Sequence, residues 1–207
     1  MSASRTGAGA PGGRRYHHGD LKAALVEAGL ELARAGGPDA LTLREVTRAV
    51  GVTPNAAYRH FADHETLVLA VATRAQDVLA GAMATRISAA GQDPVARLRG
   101  VGLGYIDFAR AEPGLFHLAF RSHHQLVREP ERDDPAPFRL LNDALDGLVE
   151  AELLSPTRRE HAEWACWSAV HGIADLATRG PLHDADPAIV DSLAELVVDR
   201  IIDGVRA

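Results

Sequence analysis

The sequence predicts an all-α protein in which an N-terminal three-helix helix-turn-helix module precedes a larger helical domain. Alanine and leucine dominate the 207 residues, and aromatic residues make up only 5% of them, which favours helices over sheets. Apolar residues recur at spacings of three and four, and glycine or proline interrupts the pattern often enough to give about nine helices. A chain of this length can form a small domain beside a larger one.

The first helix is expected to follow an N-terminal arm. Residues 1–15 should form a disordered basic arm, because alanine, glycine and serine precede Arg14 and Arg15. Such an arm can lie along a phosphate strand or enter the minor groove of DNA, and the alternative is a solvated tail without a partner. Asp20 is the expected cap of the first helix.

Two short helices joined by a tight turn are expected in residues 41–61. Thr42 and Glu45 have the spacing of a capping box, in which the hydroxyl accepts a first-turn amide and the carboxylate reaches back to the Thr42 amide. Gly51 can adopt the left-handed conformation that ends the first helix. Thr53 and Pro54 supply a hydroxyl cap and a proline at the start of the second helix.

This helix pair has the form of a helix-turn-helix, in which one helix braces and the other enters a DNA groove. Ala57 and Phe61 of the second helix are expected to face the core. The residues left on or beside its outer face are Pro54, Asn55, Ala56, Tyr58 and Arg59. The alternative is an αα-corner within an ordinary helical protein.

The remaining helices are predicted from caps and chain breaks. Asp63 should cap a long helix over residues 64–88. Later helices are expected near 95–110, just after 112–114, near 138–154, over 156–179 and over 188–205. Residues 122–137 contain three prolines among charged residues and should form a loop.

Charge is distributed unevenly along the chain, whose net charge is −6. Residues 1–64 contain eight Lys/Arg and six Asp/Glu, whereas residues 65–207 contain fourteen Lys/Arg and twenty-two Asp/Glu. Only the N-terminal third therefore suits a phosphate backbone. One cysteine allows no internal disulfide, and neither a signal peptide nor a membrane span is expected, so a cytoplasmic location is predicted.

Catalysis is not expected from this sequence. It contains no HExxH, GxSxG, P-loop or CxxC motif. Cys166 lies between two tryptophans in a predicted helix and is expected to be buried and inert. The histidine pairs at 17–18 and 123–124 lack further ligands at a metal-binding spacing, so we expect no metal and no cofactor.

The run LTLREVTRAVGVTPNAAYRHFADHETL, residues 41–67, resembles the signature of the tetracycline-repressor (TetR) family of bacterial transcription regulators. The stretches AEPGLFHLAF and WSAVHGIADLA are similar to the ligand-domain pattern of a TetR subgroup with a Trp–His–Gly motif. The resemblance implies a DNA-binding domain over residues 16–63 and an effector-binding and dimerisation domain over residues 64–207. The 64–88 helix would be the lever between them.

The resemblance also implies which side chains meet DNA. Phosphate contacts are implied for Thr42, Arg44, Tyr58, His60 and His64, and the family usually has lysine where this chain has His64. Base edges are within reach of Thr53, Pro54, Asn55 and Ala56, while Arg59 would meet a guanine or a phosphate. Asn55 can form two hydrogen bonds with adenine. The alternative for Tyr58 is a half-buried aromatic that braces the turn.

An effector pocket is implied in the larger domain, where aromatic and histidine side chains concentrate. The candidate residues are Tyr105, Phe108, Phe116, His117, Phe120, Trp164, Trp167 and His171. The spacing of Trp164, Trp167 and His171 puts them on one helix face. Such a cluster suits a small, mostly apolar effector with a few polar anchors. For any single one of these residues, the alternative is an ordinary core or dimer contact.

The last two helices are apolar over too wide an arc for a single buried face. We expect one face to serve the core and another to meet a second copy, giving a homodimer with a four-helix interface. A homodimer implies a palindromic double-stranded operator, with recognition helices about 34–36 Å apart or a multiple of that distance. The expected function is a repressor released by its effector. The alternative is a helical small-molecule binding protein without sequence-specific DNA binding.

Overall fold

The computed structural model describes residues 21–121 and 134–207, so the expected arm 1–15 and the expected cap Asp20 lie outside the described residues. Within this part the chain forms ten α-helices, one short 3-10 helix over Pro38–Ala40 and no strand, which confirms the all-α prediction. The α-helices are α1 (Leu21–Gly36), α2 (Leu43–Val50), α3 (Pro54–Tyr58), α4 (His64–Ala89), α5 (Pro94–Ala111), α6 (Pro113–Ala119), α7 (Ala136–Glu150), α8 (Pro156–Arg159), α9 (Ala162–Thr178) and α10 (Pro187–Arg206).

Only half of the predicted capping box forms at the start of α2. The Thr42 hydroxyl accepts the backbone amide of Glu45 at 3.2 Å, as expected. The Glu45 carboxylate does not reach back, because it pairs with the Arg48 guanidinium one turn further on. The Thr42 amide donates instead to the carbonyl oxygen of Ala40 at 3.0 Å. The polar groups of Thr42 and Glu45 thus all have a hydrogen-bond or ion-pair partner, but only one of these partners is the one that a capping box predicts.

The turn between α2 and α3 follows the predicted backbone course. Gly51 has a φ of 78° and ends α2 in the left-handed conformation. Pro54 occupies the first turn of α3, but the Thr53 hydroxyl makes no capping hydrogen bond, contrary to prediction. Asp63 caps α4 as predicted, since its carboxylate accepts the amide of Thr66 at 2.7 Å.

Helix α4 is the longest helix and contributes to both parts of the molecule. Its 26 residues span about 39 Å at 1.5 Å per residue. It packs against α1, α5, α6 and α7 and buries Leu67, Val71, Leu79 and Met83. By length and composition alone α4 could cross a membrane, with a mean hydropathy of 1.3, but a buried core helix meets the same test.

The prediction of one helix over residues 156–179 is wrong. The chain breaks after α8, where His161 has a left-handed φ of 62°, and α9 begins at the next residue. Arg159 holds the two segments, because its guanidinium bonds Asp146 of α7 and Glu163 of α9, each at 2.7 Å. No glycine or proline marks this break, which is why about nine helices were expected where ten occur.

Helix α7 is displaced from its predicted span. It begins at Ala136 and ends at Glu150, whereas residues 138–154 were expected. Pro137 lies in its first turn, where a missing amide costs no helical hydrogen bond. Most of the predicted 122–137 loop, residues 122–133, lies outside the described residues.

Candidate nucleic-acid interface and effector cavity

Helix α3 and its flanking residues present a polar face to solvent, which we call the α3 face (residues 53–56, 58 and 59). Tyr58 is 52% exposed, and Thr53, Pro54 and Asn55 are exposed as well. Ala56 is half-buried. These side chains are available to a partner, as a recognition helix requires.

The opposite side of α3 anchors it to the helices around it. Ala57 and Phe61 are buried, as predicted, with 0% and 2% of their surface exposed. The Lys22 ammonium also lies over the Phe61 ring, 5.7 Å from its centroid. The α3 face is therefore held in a fixed orientation by core contacts.

Arg44 and Arg59 make no ion pair or side-chain hydrogen bond with the described residues, and both are exposed. The other arginines from α1 to α4 are paired: Arg34 with Glu31 and Glu112, Arg48 with Glu45, Arg74 with Glu27, and Arg86 with Asp107. Two guanidiniums thus remain uncompensated in the helix-turn-helix region, one of them within the α3 face. Unpaired cations are what phosphate binding uses.

His64 begins α4 and is bonded back to the helix-turn-helix. Its Nε2 lies 2.7 Å from the carbonyl oxygen of Leu41, so this nitrogen carries a proton and donates it. The bond joins the start of the predicted lever, α4, to the backbone two residues before α2 begins. His60 and His64 are both exposed, and their phosphate contacts stay predictions. Arg14 and Arg15 lie outside the described residues.

Tyr105 of α5 is the centre of an aromatic cluster in the larger domain. Its ring centroid lies 5.6 Å from that of Phe116, 5.9 Å from that of Phe120 and 5.5 Å from that of Trp167. The His171 ring contacts Phe116 and Phe120 at 5.4 and 5.3 Å. Five of the eight residues predicted for the effector pocket are thus brought together.

A hydrogen bond joins Tyr105 to His171 inside this cluster, with 2.8 Å between the hydroxyl oxygen and Nδ1. Burial lowers the pKa of His171 and raises the pKa of Tyr105 well above its usual value. Both groups are therefore neutral at neutral pH, and the hydrogen bond between them joins two uncharged groups.

The other three predicted pocket residues have different surroundings. Phe108 is buried, with 4% of its surface exposed, but does not take part in these ring contacts. His117 is half-buried at the edge of the cluster, and burial lowers its pKa too. Trp164 is 49% exposed, whereas Trp167 is buried. Both indole rings contact Phe138 of α7, at 5.4 and 5.5 Å between centroids, as their helical spacing indicated, but Trp164 lies at the solvent side of that contact.

A small apolar cavity, which we call the α5–α10 cavity, lies beside Tyr105. It has a volume of about 20 Å³ and lies between α5, α7, α9 and α10, with α4 on one side. The lining includes Met83 of α4, Gly102 and Tyr105 of α5, Trp167 and Val170 of α9, and Val198 of α10. Among the predicted pocket residues, Tyr105 and Trp167 contribute to this lining.

Gly102 is a lining residue that the sequence prediction missed. A Cβ at this position would lie 3.0 Å from Cγ2 of Val198 and 3.4 Å from Cγ1 of Val170, so its absence allows α5 to approach α9 and α10 closely. The available signal is the alternation of glycines at 100, 102 and 104 within a predicted helix. Glycine costs a helix interior about 1 kcal/mol, so three of them indicate a packing requirement.

The larger domain also touches the helix-turn-helix region away from α4. The Arg34 guanidinium of α1 donates to both oxygens of Glu112, at 3.1 and 2.9 Å, just before α6 begins. Arg121, just after α6, lies 3.1 Å from Asp39 in the 3-10 helix. Both ends of α6 are therefore tied to the chain between α1 and α2.

Helices α9 and α10 expose large apolar side chains. Leu176 of α9 is 42% exposed, and Ile189 and Leu196 of α10 are 54% and 50% exposed. The other side of α10 buries Val190 and Val198 against the core. Helix α10 is therefore apolar on a buried side and on an exposed side.

Cys166 lies on the buried side of α9. Burial raises the pKa of its thiol to about 11, which keeps it protonated and unreactive at neutral pH. Among the residues that the structure describes, no three His, Cys, Asp or Glu side chains are placed to share a metal ion.

Two family models match the chain over more than half of its length. Residues 25–71 match "Bacterial regulatory proteins, tetR family", and residues 98–201 match "Tetracyclin repressor-like, C-terminal domain". A comparison with curated protein sequences finds no significant match.

Solved structures share this fold across nearly the whole chain. A protein of unknown function from Rhodococcus sp. RHA1 is 24% identical with a TM-score of 0.73, over 94% of this chain and 100% of that one. A TetR variant from Acinetobacter baumannii AYE, in complex with minocycline, is 21% identical with a TM-score of 0.63, over 90% and 98%. A TetR family transcription regulator from Marinobacter aquaeolei VT8 is 19% identical with a TM-score of 0.61, over 87% and 95%.

Proposed function

The chain belongs to the TetR family of bacterial transcription regulators, and from this premise we propose that it is a homodimeric repressor released from a palindromic operator by a small-molecule effector. The observation that carries the proposal is the exposed α3 face with the unpaired guanidinium of Arg59. A soluble DNA-binding regulator of this family acts in the cytoplasm, and that is the location we propose.

The α3 face enters the major groove in this proposal. Asn55 is exposed and can offer an amide oxygen and nitrogen together to adenine, while Pro54 or Ala56 touches a thymine methyl group. Arg59 meets a guanine or a phosphate. The phosphate contacts come from Thr42, Arg44, Tyr58, His60 and His64, with Arg14 and Arg15 on the arm. Thr53 lies close to the base edges in the major groove.

The exposed apolar side chains of α9 and α10 support a dimer through these two helices. Leu176, Ile189 and Leu196 would be covered by the same helices of a second copy, in a four-helix interface with two-fold symmetry. Two α3 faces related by that symmetry require a palindromic operator, with half-sites about 34–36 Å apart or a multiple of that distance.

Helix α4 is the lever in the proposed release. It begins at the hydrogen bond between His64 and Leu41 and runs about 39 Å into the larger domain. An effector in the larger domain tilts α4 and changes the separation of the two α3 faces. The effector needs to favour the released state by only a few kcal/mol to shift the population.

A gel-shift titration tests the proposal, using DNA that flanks the gene and salt between about 50 and 200 mM. We expect sequence-specific binding whose affinity falls steeply with salt. Arg59→Gln should weaken binding and reduce the slope of log K against log salt by about 0.9. Arg97→Gln is the control, because it removes the same charge near the start of α5, beyond the end of α4 that is remote from the α3 face. It should change neither the affinity nor the salt slope.

Failure to bind any flanking DNA specifically at moderate salt would contradict the proposal. It would favour a helical small-molecule binding protein that does not recognise DNA sequence. For such a protein, Arg59→Gln would not change the affinity for DNA, and that affinity would not fall steeply with salt.

A further inference from the structure

The sequence contains a single lysine, Lys22, and it lies in the helix-turn-helix region. The other 21 of the 22 basic residues are arginines, whose guanidinium groups stay protonated in proteins and do not act as nucleophiles. We propose that Lys22 is an acylation site, at which transfer of a small acyl group from an acyl phosphate lowers the affinity for DNA. The effect on DNA rests on the proposed function, whereas acylation itself can be measured without DNA.

The Lys22 side chain extends from the first turn of α1 to the end of α3. Its ammonium group lies over the Phe61 ring, 5.7 Å from the ring centroid. Phe61 is buried and fixed in the core, while Lys22 remains exposed to solvent. Phe61 directly follows His60 and is three positions from both Tyr58 and His64. The amine is therefore accessible to a reagent and lies beside residues proposed to contact phosphates.

Lys22 is also one of three unpaired cations among residues 21–64. Like Arg44 and Arg59, it makes no ion pair or side-chain hydrogen bond with the described residues. This segment contains five Lys/Arg and five Asp/Glu, so its formal charge is zero. Acylation of Lys22 would make that charge −1. Because binding to a phosphate backbone depends on lysine and arginine side chains, the loss of this cation should weaken it.

The same unpaired cations favour an acyl donor that carries a phosphate group. Positive charges on a protein surface raise the local concentration of anions, within about 8 Å at physiological ionic strength. Arg44 and Arg59 can attract an acyl phosphate in this way, as they are proposed to attract DNA. The phosphate of such a donor is also a good leaving group, so the transfer requires no catalytic side chain from the protein.

The transfer is a substitution at the acyl carbon. The uncharged amine of Lys22 attacks this carbon with its lone pair, and a bond forms between Nζ and the carbon. The bond from the carbon to the phosphate oxygen breaks, and inorganic phosphate leaves with the bonding electrons. A proton passes from Nζ to solvent, and no atom is oxidised or reduced. The product is a neutral amide, which has lost the positive charge of the ammonium group.

Acetyl phosphate is the probe for the site of modification. Full-length protein is incubated with it and analysed by intact mass and peptide mapping. We expect an acetyl group on Lys22 and no such adduct in Lys22→Arg. Peptide mapping separates this adduct from one on the α-amino group of the chain. If the α-amino group were acetylated while Lys22 stayed unmodified, the proposal would be overturned.

The effect on DNA is measured by gel-shift titration with the flanking DNA. The parent protein treated with acetyl phosphate is compared with the parent treated with the same concentration of inorganic phosphate. Acetylation should lower the affinity and reduce the slope of log K against log salt by about 0.9 per subunit. An acetylated protein that binds as tightly as the phosphate-treated protein would overturn the effect on DNA.

Two matched variants assign that effect to Lys22. Lys22→Arg keeps the positive charge but offers no amine, so it should bind like the parent and should not respond to acetyl phosphate. Lys22→Gln carries a neutral amide and should bind like the acetylated parent. Circular dichroism checks that both variants fold. If acetyl phosphate weakened DNA binding by Lys22→Arg as much as by the parent, another group would be responsible and the proposal would be overturned.

Failure of this inference can be distinguished from failure of the proposed function. If the untreated protein bound no flanking DNA specifically, the proposed function and the effect of acylation on DNA would both be contradicted. An acetyl group found on Lys22 in the same protein would still support the modification site.

Discussion

The backbone of Gly114 lies directly against the carbonyl oxygen of Ala33, so that a Cβ on Gly114 would be 2.2 Å from that oxygen. Gly114 is in the first turn of α6 and Ala33 is near the end of α1. This approach places the larger domain in contact with the helix that supports the helix-turn-helix. Because the obstructing atom belongs to the backbone, no side-chain rotation can make room for a methyl group there.

Gly114→Ala should therefore displace α6 from α1. We expect the free energy of unfolding to fall by about 1–3 kcal/mol, the usual cost of overpacking, and operator binding to change with it. Gly147→Ala is the control, because a Cβ there meets nothing within 4 Å and should stabilise α7 by up to about 1 kcal/mol. Urea unfolding of both variants measures the difference, and similar effects of both would contradict the close contact.

Asn55 and Tyr58 should differ in how their loss affects sequence discrimination. Asn55→Ala should relax the preference for one base pair by about 1–3 kcal/mol, because it removes a bidentate contact. Tyr58→Phe should weaken binding by a similar factor on every sequence, because it removes a phosphate contact. Competition titrations with singly substituted operators measure both. If Asn55→Ala lowered the affinity equally for all operator sequences, the base contact proposed for Asn55 would be wrong.

His64→Lys should strengthen DNA binding. The TetR pattern usually has lysine here, and an ammonium group adds a full charge where phosphates are expected. We expect the slope of log K against log salt to steepen by about 0.9. His183→Lys adds the same charge at an exposed position between α9 and α10 and should leave the slope unchanged. An unchanged slope in His64→Lys would mean that this side chain faces no phosphate.

Leu196→Glu should dissociate the proposed dimer. Leu196 is 50% exposed on α10, and a carboxylate there would be buried against its copy without a partner. Leu153→Glu is the control, at a residue 37% exposed beyond α7 and outside the last two helices. Sedimentation equilibrium should give a monomer for Leu196→Glu alone, with a matching loss of operator binding. A Leu196→Glu dimer as tight as the parent would exclude this interface.

Stability should decrease in mildly acidic solution because His171 and His117 are held neutral. Burial lowers the pKa of both below the 6.5 of an unfolded chain. Above that value neither state binds a proton. As the pH falls from 6.5 towards the lowered native pKa values, the unfolded state binds protons first and the free energy of unfolding declines.

Thermal unfolding between about pH 7.5 and 5.5 measures this dependence. His171→Gln should flatten it, since glutamine keeps a polar group but does not titrate. His183→Gln, at an exposed site, should leave it as in the parent. If His171→Gln left the pH dependence of thermal stability unchanged, a buried neutral imidazole at this position would be contradicted.

Local signals accounted for most helix boundaries. Gly51 and Asp63 act within their own turn of chain, so their effects could be predicted from neighbouring residues. The break between α8 and α9 could not be predicted, because what holds it is the pairing of Arg159 with Asp146 on another helix. The hydrogen bond predicted from the Thr42 amide to the Glu45 carboxylate does not form, because that carboxylate pairs with Arg48 on the same helix.

The sequence by itself determined the all-α class, the helix-turn-helix and the polar α3 face, because caps and apolar periodicity depend on residues within about four positions of one another. Only the tertiary structure decided which arginines stay unpaired, where Tyr105 meets His171 and where the apolar cavity lies. Those features depend on residues far apart in the chain, 66 positions for Tyr105 and His171 and 78 for Arg34 and Glu112. Such pairings form only when the helices pack, and no local pattern encodes them.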